Sequence, residues 1–169
     1  LPNGTVLDGE IIPFKDGKPL NFATMQTRIS RKNVSKAILK SAPIVMIVYD
    51  ILEFEGKDLR ETPMKERRQV LERMVKKQKS GTLMLSKVLE LDSWNKLIEV
   101  RTTSRENNAE GLMLKRKDST YKIGRKKGDW WKWKVDPLTI DAVMIYAMRG
   151  HGRRANLYTD YTFAVWDGE

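Results

Sequence analysis

Lys132 and Lys134 are spaced for anion chemistry. They stand in the run Trp-Trp-Lys-Trp-Lys at 130–134, closing a stretch (115–134) with nine Lys or Arg against two Asp. Tyr121, Trp130, Trp131 and Trp133 are interleaved. A strand sends alternate side chains to opposite faces. Lys132 and Lys134 then share one face, while Trp131, Trp133 and Val135 share the other. Two ammonium groups anchored by apolar packing behind them make a fixed receptor for a polyanion. A solvated basic strand edge has the same composition, because lysine also protects edges from pairing. The stretch alone leaves both readings open.

The other residues able to do chemistry lie far from this run. They are the Asp8-Gly9-Glu10 tripeptide, Tyr49 inside an apolar segment, and Glu110 at the head of Glu-Gly-Leu-Met-Leu-Lys at 110–115. Each has an ordinary alternative: a turn, a core aromatic, and a cap or ion-pair partner. The chain has no cysteine and a single histidine, His151. Disulfides, thiolate zinc sites and histidine metal clusters are therefore excluded, and any metal is a hard cation held by oxygen. Lys and Arg exceed Asp and Glu by 32 − 22 = 10 in 169 residues. That balance favours a phosphate-rich partner, nucleic acid or nucleotide, over an anionic membrane surface. No apolar run approaches the ~20 residues of a spanning helix, so no membrane role is expected.

The elements that must carry these residues can be read in order. Residues 6–12 predict a strand with Asp8 and Glu10 on one face, running into a turn at 15–18. Phe22, Met25 and Ile29 have helical spacing, and Val34, Ile38 and Leu39 suggest a second short helix. Arg28, Arg31 and Lys32 form a basic patch between them. Residues 44–52 are apolar on both faces except at Asp50, the pattern of a central strand. After a turn at 55–58, Thr62 is expected to cap a helix with Pro63 at its first position. Val70, Leu71, Met74 and Val75 would be its buried stripe, with Gly81 as its stop. Residues 83–91 predict another strand. A helix capped by Asp92 or Ser93 should run to about 105, burying Trp94, Leu97, Ile98 and the stem of Arg101. Strands at 111–115 and 130–135 complete the set. The Asp136-Pro137 step is the expected domain boundary. Strands at 140–148 and 161–166 beyond it are too little for an independent β-domain.

In this order and at these separations, Leu-Asp-Gly-Glu (7–10), Val-Tyr-Asp-Ile-Leu (48–52), Glu-Gly-Leu-Met-Leu-Lys and Trp-Trp-Lys-Trp-Lys closely resemble the covalent nucleotidyltransferases, specifically bacterial ATP-dependent DNA ligases. The tail at 150–167 resembles the opening of a ligase OB domain. The resemblance implies an α+β fold of mixed, largely antiparallel sheets with flanking helices, the ATP-grasp-like nucleotidyltransferase domain. Residues 1–136 would be the adenylation domain lacking its motif I part, and 137–169 the first strands of a truncated OB-fold. Motif III makes Glu10 a ribose contact or active-site organiser. Motif IIIa makes Tyr49 the adenine platform, and motif IV makes Glu110, with Glu10, the holder of Mg²⁺. Motif V gives Lys132 and Lys134 the α-phosphate. Lys115, five residues from Glu110, points to the opposite face of a straight strand and stays a phosphate or nucleic-acid contact.

Those roles suit the chemistry of the residues. Mg²⁺ takes one or two carboxylates plus substrate phosphates, lysine pairs stabilise charge growing on phosphorus, and an aromatic face orients a base. One departure is plain: the family's nucleophilic lysine stands in a KxDGxR motif, and no KxDG occurs in the sequence. Val6 occupies the lysine's place before Asp8-Gly9, and Lys15-Asp16-Gly17 lacks the intervening residue. The chain is therefore expected to be a piece of a longer protein and inactive alone. The implied parent is a cytoplasmic, monomeric ATP-dependent DNA ligase of replication, repair and recombination. It would seal nicked double-stranded DNA through lysyl-AMP and transfer of AMP to the 5′-phosphate. The alternatives are an RNA ligase or capping-type guanylyltransferase, and a non-catalytic basic nucleic-acid-binding module.

Overall fold

A computed structural model describes residues 1–29 and 31–168. They fall into two compact units, 1–135 and 136–169.

The first unit is built on a mixed sheet. Strands β1 (Val6–Lys15) and β3 (Ile44–Phe54) pair antiparallel over most of their length. The short β2 (Lys18–Pro19) and β4 (Lys57–Asp58) fold back as hairpins on β1 and β3. Asp16-Gly17 and Glu55-Gly56 make the two turns, all four residues at positive φ as tight hairpins require. The parallel β5 (Leu83–Leu85) lies along β3, so β3 is central, as its apolar pattern predicts. Helices α1 (Phe22–Ile29) and α2 (Lys36–Ser41) occupy the connection between β2 and β3. Helix α3 (Met64–Lys77) covers the sheet, and Val48, Ile51, Leu59, Leu71 and Met74 are the buried core.

Four local expectations change. Strand β5 stops at Leu85, because its pairing with β3 ends at Val48↔Leu85, and 86–91 have no ladder to join. Pro63, not Thr62, occupies the cap of α3, with an extended ψ of 141° and no side-chain cap bond. The helix ends at Lys77, four residues before Gly81. Helix α4 (Trp94–Thr102) is capped by Ser93 as expected and passes into a 3-10 turn at Thr103–Asn107, but Trp94 and Ile98 remain 66% and 46% exposed.

Strands β6 (Gly111–Lys115) and β7 (Trp130–Lys134) form a separate antiparallel ribbon in the first unit. In the second unit, β8 (Val143–Arg149) and β9 (Tyr158–Ala164) pair antiparallel. Glu169, the end of the expected OB segment, lies outside the described residues. Among the described residues no helix is long and apolar enough to cross a membrane.

Candidate functional site

The β6–β7 register decides which side chains share a face. Lys115 pairs with Trp130, Met113 with Lys132 and Gly111 with Lys134. Side chains of directly opposed residues point the same way, so Lys115, Trp130, Lys132 and Lys134 line one face. The alternation expected for Lys132 and Lys134 holds. Lys115, expected on the side away from Glu110, shares their face. Glu110 precedes the strand, so alternation does not bind it, and its carboxylate meets Lys134 Nζ at 2.6 Å. That pair, reinforced by the charge of Lys132, holds the Glu110 carboxyl below the usual range. On the opposite face Trp133 packs edge-on to Trp94 (6.2 Å) and lies under the Arg101 guanidinium (5.3 Å). Trp131, expected to be packed as well, is 51% exposed, because the short α4 reaches only its neighbour.

The second half of the site is set by a β-bulge. Asp8 pairs with Asp50 and Gly9 with Val48, so Tyr49 has no partner on β1. Bulges re-aim side chains in this way. Gly9 makes the close approach possible: a Cβ there would lie 2.5 Å from the Ile47 carbonyl oxygen and 3.0 Å from Val48 Cα. The freed Tyr49 donates its hydroxyl to Asp8 Oδ1 at 3.0 Å, and Tyr121 donates to Asp8 Oδ2 at 2.7 Å. Burial, and next the Asp8 charge, push the Tyr49 phenol above its ordinary range. Burial and the Asp8 hydrogen bond push Tyr121 up to about 12.

The two halves meet at Lys115. Its ammonium stands 4.2 Å from the centre of the Tyr49 ring and 3.9 Å from that of Trp130. The nitrogen is buried without a hydrogen-bond acceptor, and desolvation lowers its pKa. A caged ammonium with unused donors is a receptor for an anion or an electron-rich ring. Glu10, exposed on β1, lies within electrostatic range of Tyr49. Two groups therefore emerge among the predicted residues: Glu10, Tyr49 and Lys115 at one end of the ribbon, and Glu110 with Lys134 and Lys132 at the other.

Three contributors escape a reading of single motifs: Asp8, Tyr121 and Arg67. Arg67 grips Asp50 through two 2.8 Å hydrogen bonds, at 0% and 1% exposure. It also donates to the carbonyls of Thr62 (2.5 Å) and Ser119 (3.2 Å), and its guanidinium lies 5.7 Å from the Tyr121 ring centre. A signal existed, since 67, 70, 71 and 74 fall on one helical stripe and a lone Asp in an apolar strand demands a buried cation.

Metal binding is more restricted. Among the described residues no group of three or more His, Cys, Asp or Glu could enclose an ion. Glu110, 79% exposed on its ion pair with Lys134, suits a magnesium ion completed by phosphate and water oxygens, the usual Mg²⁺ arrangement.

Residues 2–134 match the family described as the ATP dependent DNA ligase domain. A probable DNA ligase of Koribacter versatilis is 33% identical over the whole of this chain, which covers 33% of that protein. A DNA ligase of Thermococcus fumicolans is 32% identical over 98% of the chain and 30% of its own length. The chain thus spans between about a fifth and a third of the length of the curated relatives it matches. Among solved structures, the ligase domain of M. tuberculosis LigD is 29% identical, with a TM-score of 0.57 over 77% of this chain and 38% of that one. A mycobacterial DNA ligase D complexed with ATP and MES is 26% identical, with a TM-score of 0.58 over 94% and 45%. A Lig E DNA ligase, 18% identical at a TM-score of 0.68 over 94% and 57%, shares the fold. The α+β architecture and these matches agree: the chain belongs to the ATP-dependent DNA ligase domain family.

Proposed function

We propose that this chain supplies most of the nucleotide pocket of an ATP-dependent DNA ligase that seals nicks in double-stranded DNA through a lysyl-AMP intermediate. The observation that carries the reading is the ribbon face on which Lys115, Lys132 and Lys134 lie in line, with the Lys115 end touching Tyr49. Adenine stacks on the Tyr49 face that Lys115 does not cover, and Glu10 takes the ribose. Lys132 and Lys134 hold the α-phosphate and stabilise the charge that grows there as the pyrophosphate leaves. Lys115, buried and lacking an acceptor, turns its donors to a phosphate oxygen. Glu110 would hold Mg²⁺, which when bound neutralises phosphate charge; Glu10, at the Tyr49 end of the ribbon, stays with the ribose. Phosphate oxygens would then take over the Lys134 ammonium that Glu110 now engages.

The lysine that attacks the α-phosphate is not in this chain, since no KxDG occurs in it. Residues 1–136 act as the adenylation domain without motif I, and 137–169 as the opening strands of an OB-fold. The test is incubation of this chain and of its full-length parent with α-labelled ATP and Mg²⁺. The parent is expected to acquire a covalent AMP label and the chain to bind ATP without one. A labelled adduct on the chain would overturn its inactivity, and DNA binding by a parent with no affinity for ATP would favour the non-catalytic module. Preference for GTP over ATP would favour the capping reaction.

A further inference from the structure

We propose that Asp8 and Tyr121 are positioning residues whose paired hydrogen bonds hold the Tyr49 ring at the angle that receives the nucleobase. The inference rests on the reading of Tyr49 as the adenine platform. At the bulge Tyr49 has no cross-strand partner, so the ladder does not dictate the direction of its ring. What fixes it is the phenol oxygen, tied to Asp8 Oδ1 at 3.0 Å across 41 residues of sequence.

Asp8 is itself held. Its other oxygen accepts the Tyr121 hydroxyl at 2.7 Å, from 113 residues away. One carboxylate bridging two phenols has its plane defined by both, whereas a carboxylate with one donor can turn about its Cβ–Cγ bond. Tyr121 is clamped in turn. Its backbone N–H donates to the Arg60 carbonyl at 2.7 Å, and its ring packs edge-on to Trp130 with centres 5.5 Å apart at 81°. Trp130 also carries Lys115 on its face. The same clamp thus fixes both the base platform and the neighbouring ammonium, and couples β1, β3 and the β6–β7 ribbon at the point where a nucleotide would lie. Among the described residues Asp8 forms no ion pair with a lysine or arginine, so its geometry is set by these two neutral donors.

The experiment compares Tyr121→Phe, Asp8→Asn, Asp8→Ala and Tyr49→Ala in the full-length parent, measuring KM for ATP and kcat in steady-state nick sealing together with thermal unfolding. Tyr121→Phe keeps the ring on Trp130 and removes only the hydroxyl. It is expected to raise KM roughly 3- to 10-fold with kcat little changed, the range for loss of part of a charge-assisted hydrogen bond. Asp8→Asn, which retains one acceptor oxygen, should resemble it, and Asp8→Ala should exceed both. A purely structural role would instead lower the melting temperature and leave KM unmoved, and that result overturns the inference. If Tyr49→Ala raises KM while Tyr121→Phe and Asp8→Asn do not, the platform reading stands and the positioning inference fails. If Tyr49→Ala also leaves KM unchanged, both fail. Should Asp8→Ala not fold, Tyr121→Phe decides alone.

Discussion

Replacing Arg67 by methionine keeps most of the buried stem and strands the Asp50 carboxylate, which is 1% exposed. The guanidinium donates both hydrogen bonds of the pair, and among the described residues the one other hydrogen bond to the Asp50 side chain comes from the Ile51 N–H at 2.9 Å. Breaking a fully buried pair from one side typically costs about 3–5 kcal/mol, since the remaining charge loses its compensation. Against a total stability of roughly 5–15 kcal/mol for a domain, that is a large share. The Ser119 carbonyl keeps the Met64 N–H as a donor, whereas the Thr62 carbonyl loses its close partner, so the estimate belongs at the upper end. In urea unfolding with an m-value of about 2 kcal/mol/M, the midpoint should fall by on the order of 2 M. Adding Asp50→Leu to the same protein removes the stranded charge and should return about 1–3 kcal/mol of the loss. The recovery is partial because the Ile51 N–H then lacks its acceptor. A single-variant loss below about 1 kcal/mol, or a second substitution that adds its own cost in full, would refute this account of the pair.

Gly9→Ala forces a methyl against the Ile47 carbonyl oxygen and Val48 Cα. The strands must part, and a loss of about 1–3 kcal/mol is expected in thermal unfolding; an unchanged melting temperature would contradict the close approach. The Glu110 carboxyl, depressed by Lys134 and then by Lys132, should titrate in carbon-13 NMR below the ordinary ~4.3 and return toward it in Lys134→Ala. Because the folded value is the lower one, its small stabilisation is present above the unfolded value and lost as pH falls through the folded value. The folded pKa of Lys115 is lowered as well, here by burial, which disfavours its charged form. Stability linked to it rises with pH between that folded value and the unfolded ~10.4. Lys115→Met should therefore leave the melting temperature undiminished at neutral pH while weakening ATP binding roughly tenfold, the worth of one charge-assisted contact. A destabilised variant with unaltered ATP affinity would show that the ammonium serves packing instead.

Local pattern made much of the molecule legible. Apolar residues on both faces of 44–52 marked a central strand, and the Lys-Trp-Lys alternation in 130–134 marked a two-faced one. Turn residues located both hairpins, because only a few side chains tolerate positive φ. The same reasoning overextended β5, since apolar spacing says nothing about where a partner strand ends. It also hid Trp94 and Ile98 in a core that a nine-residue helix does not build. Face assignment failed once, at Lys115. Glu110 lies before the strand, and alternation holds only within the paired residues 111–115.

From its residues alone the chain declared its elements, its family and a composition, with no cysteine and one histidine, that confines any metal to oxygen ligands. Those properties depend on residue type and short-range periodicity, which the order of amino acids carries directly. The skipped pairing at Tyr49, the carboxylate shared by Tyr49 and Tyr121, and the ammonium caged between Tyr49 and Trp130 came only with the folded chain. Each joins residues dozens of positions apart through strand register and close packing, and neither is encoded in any local spacing.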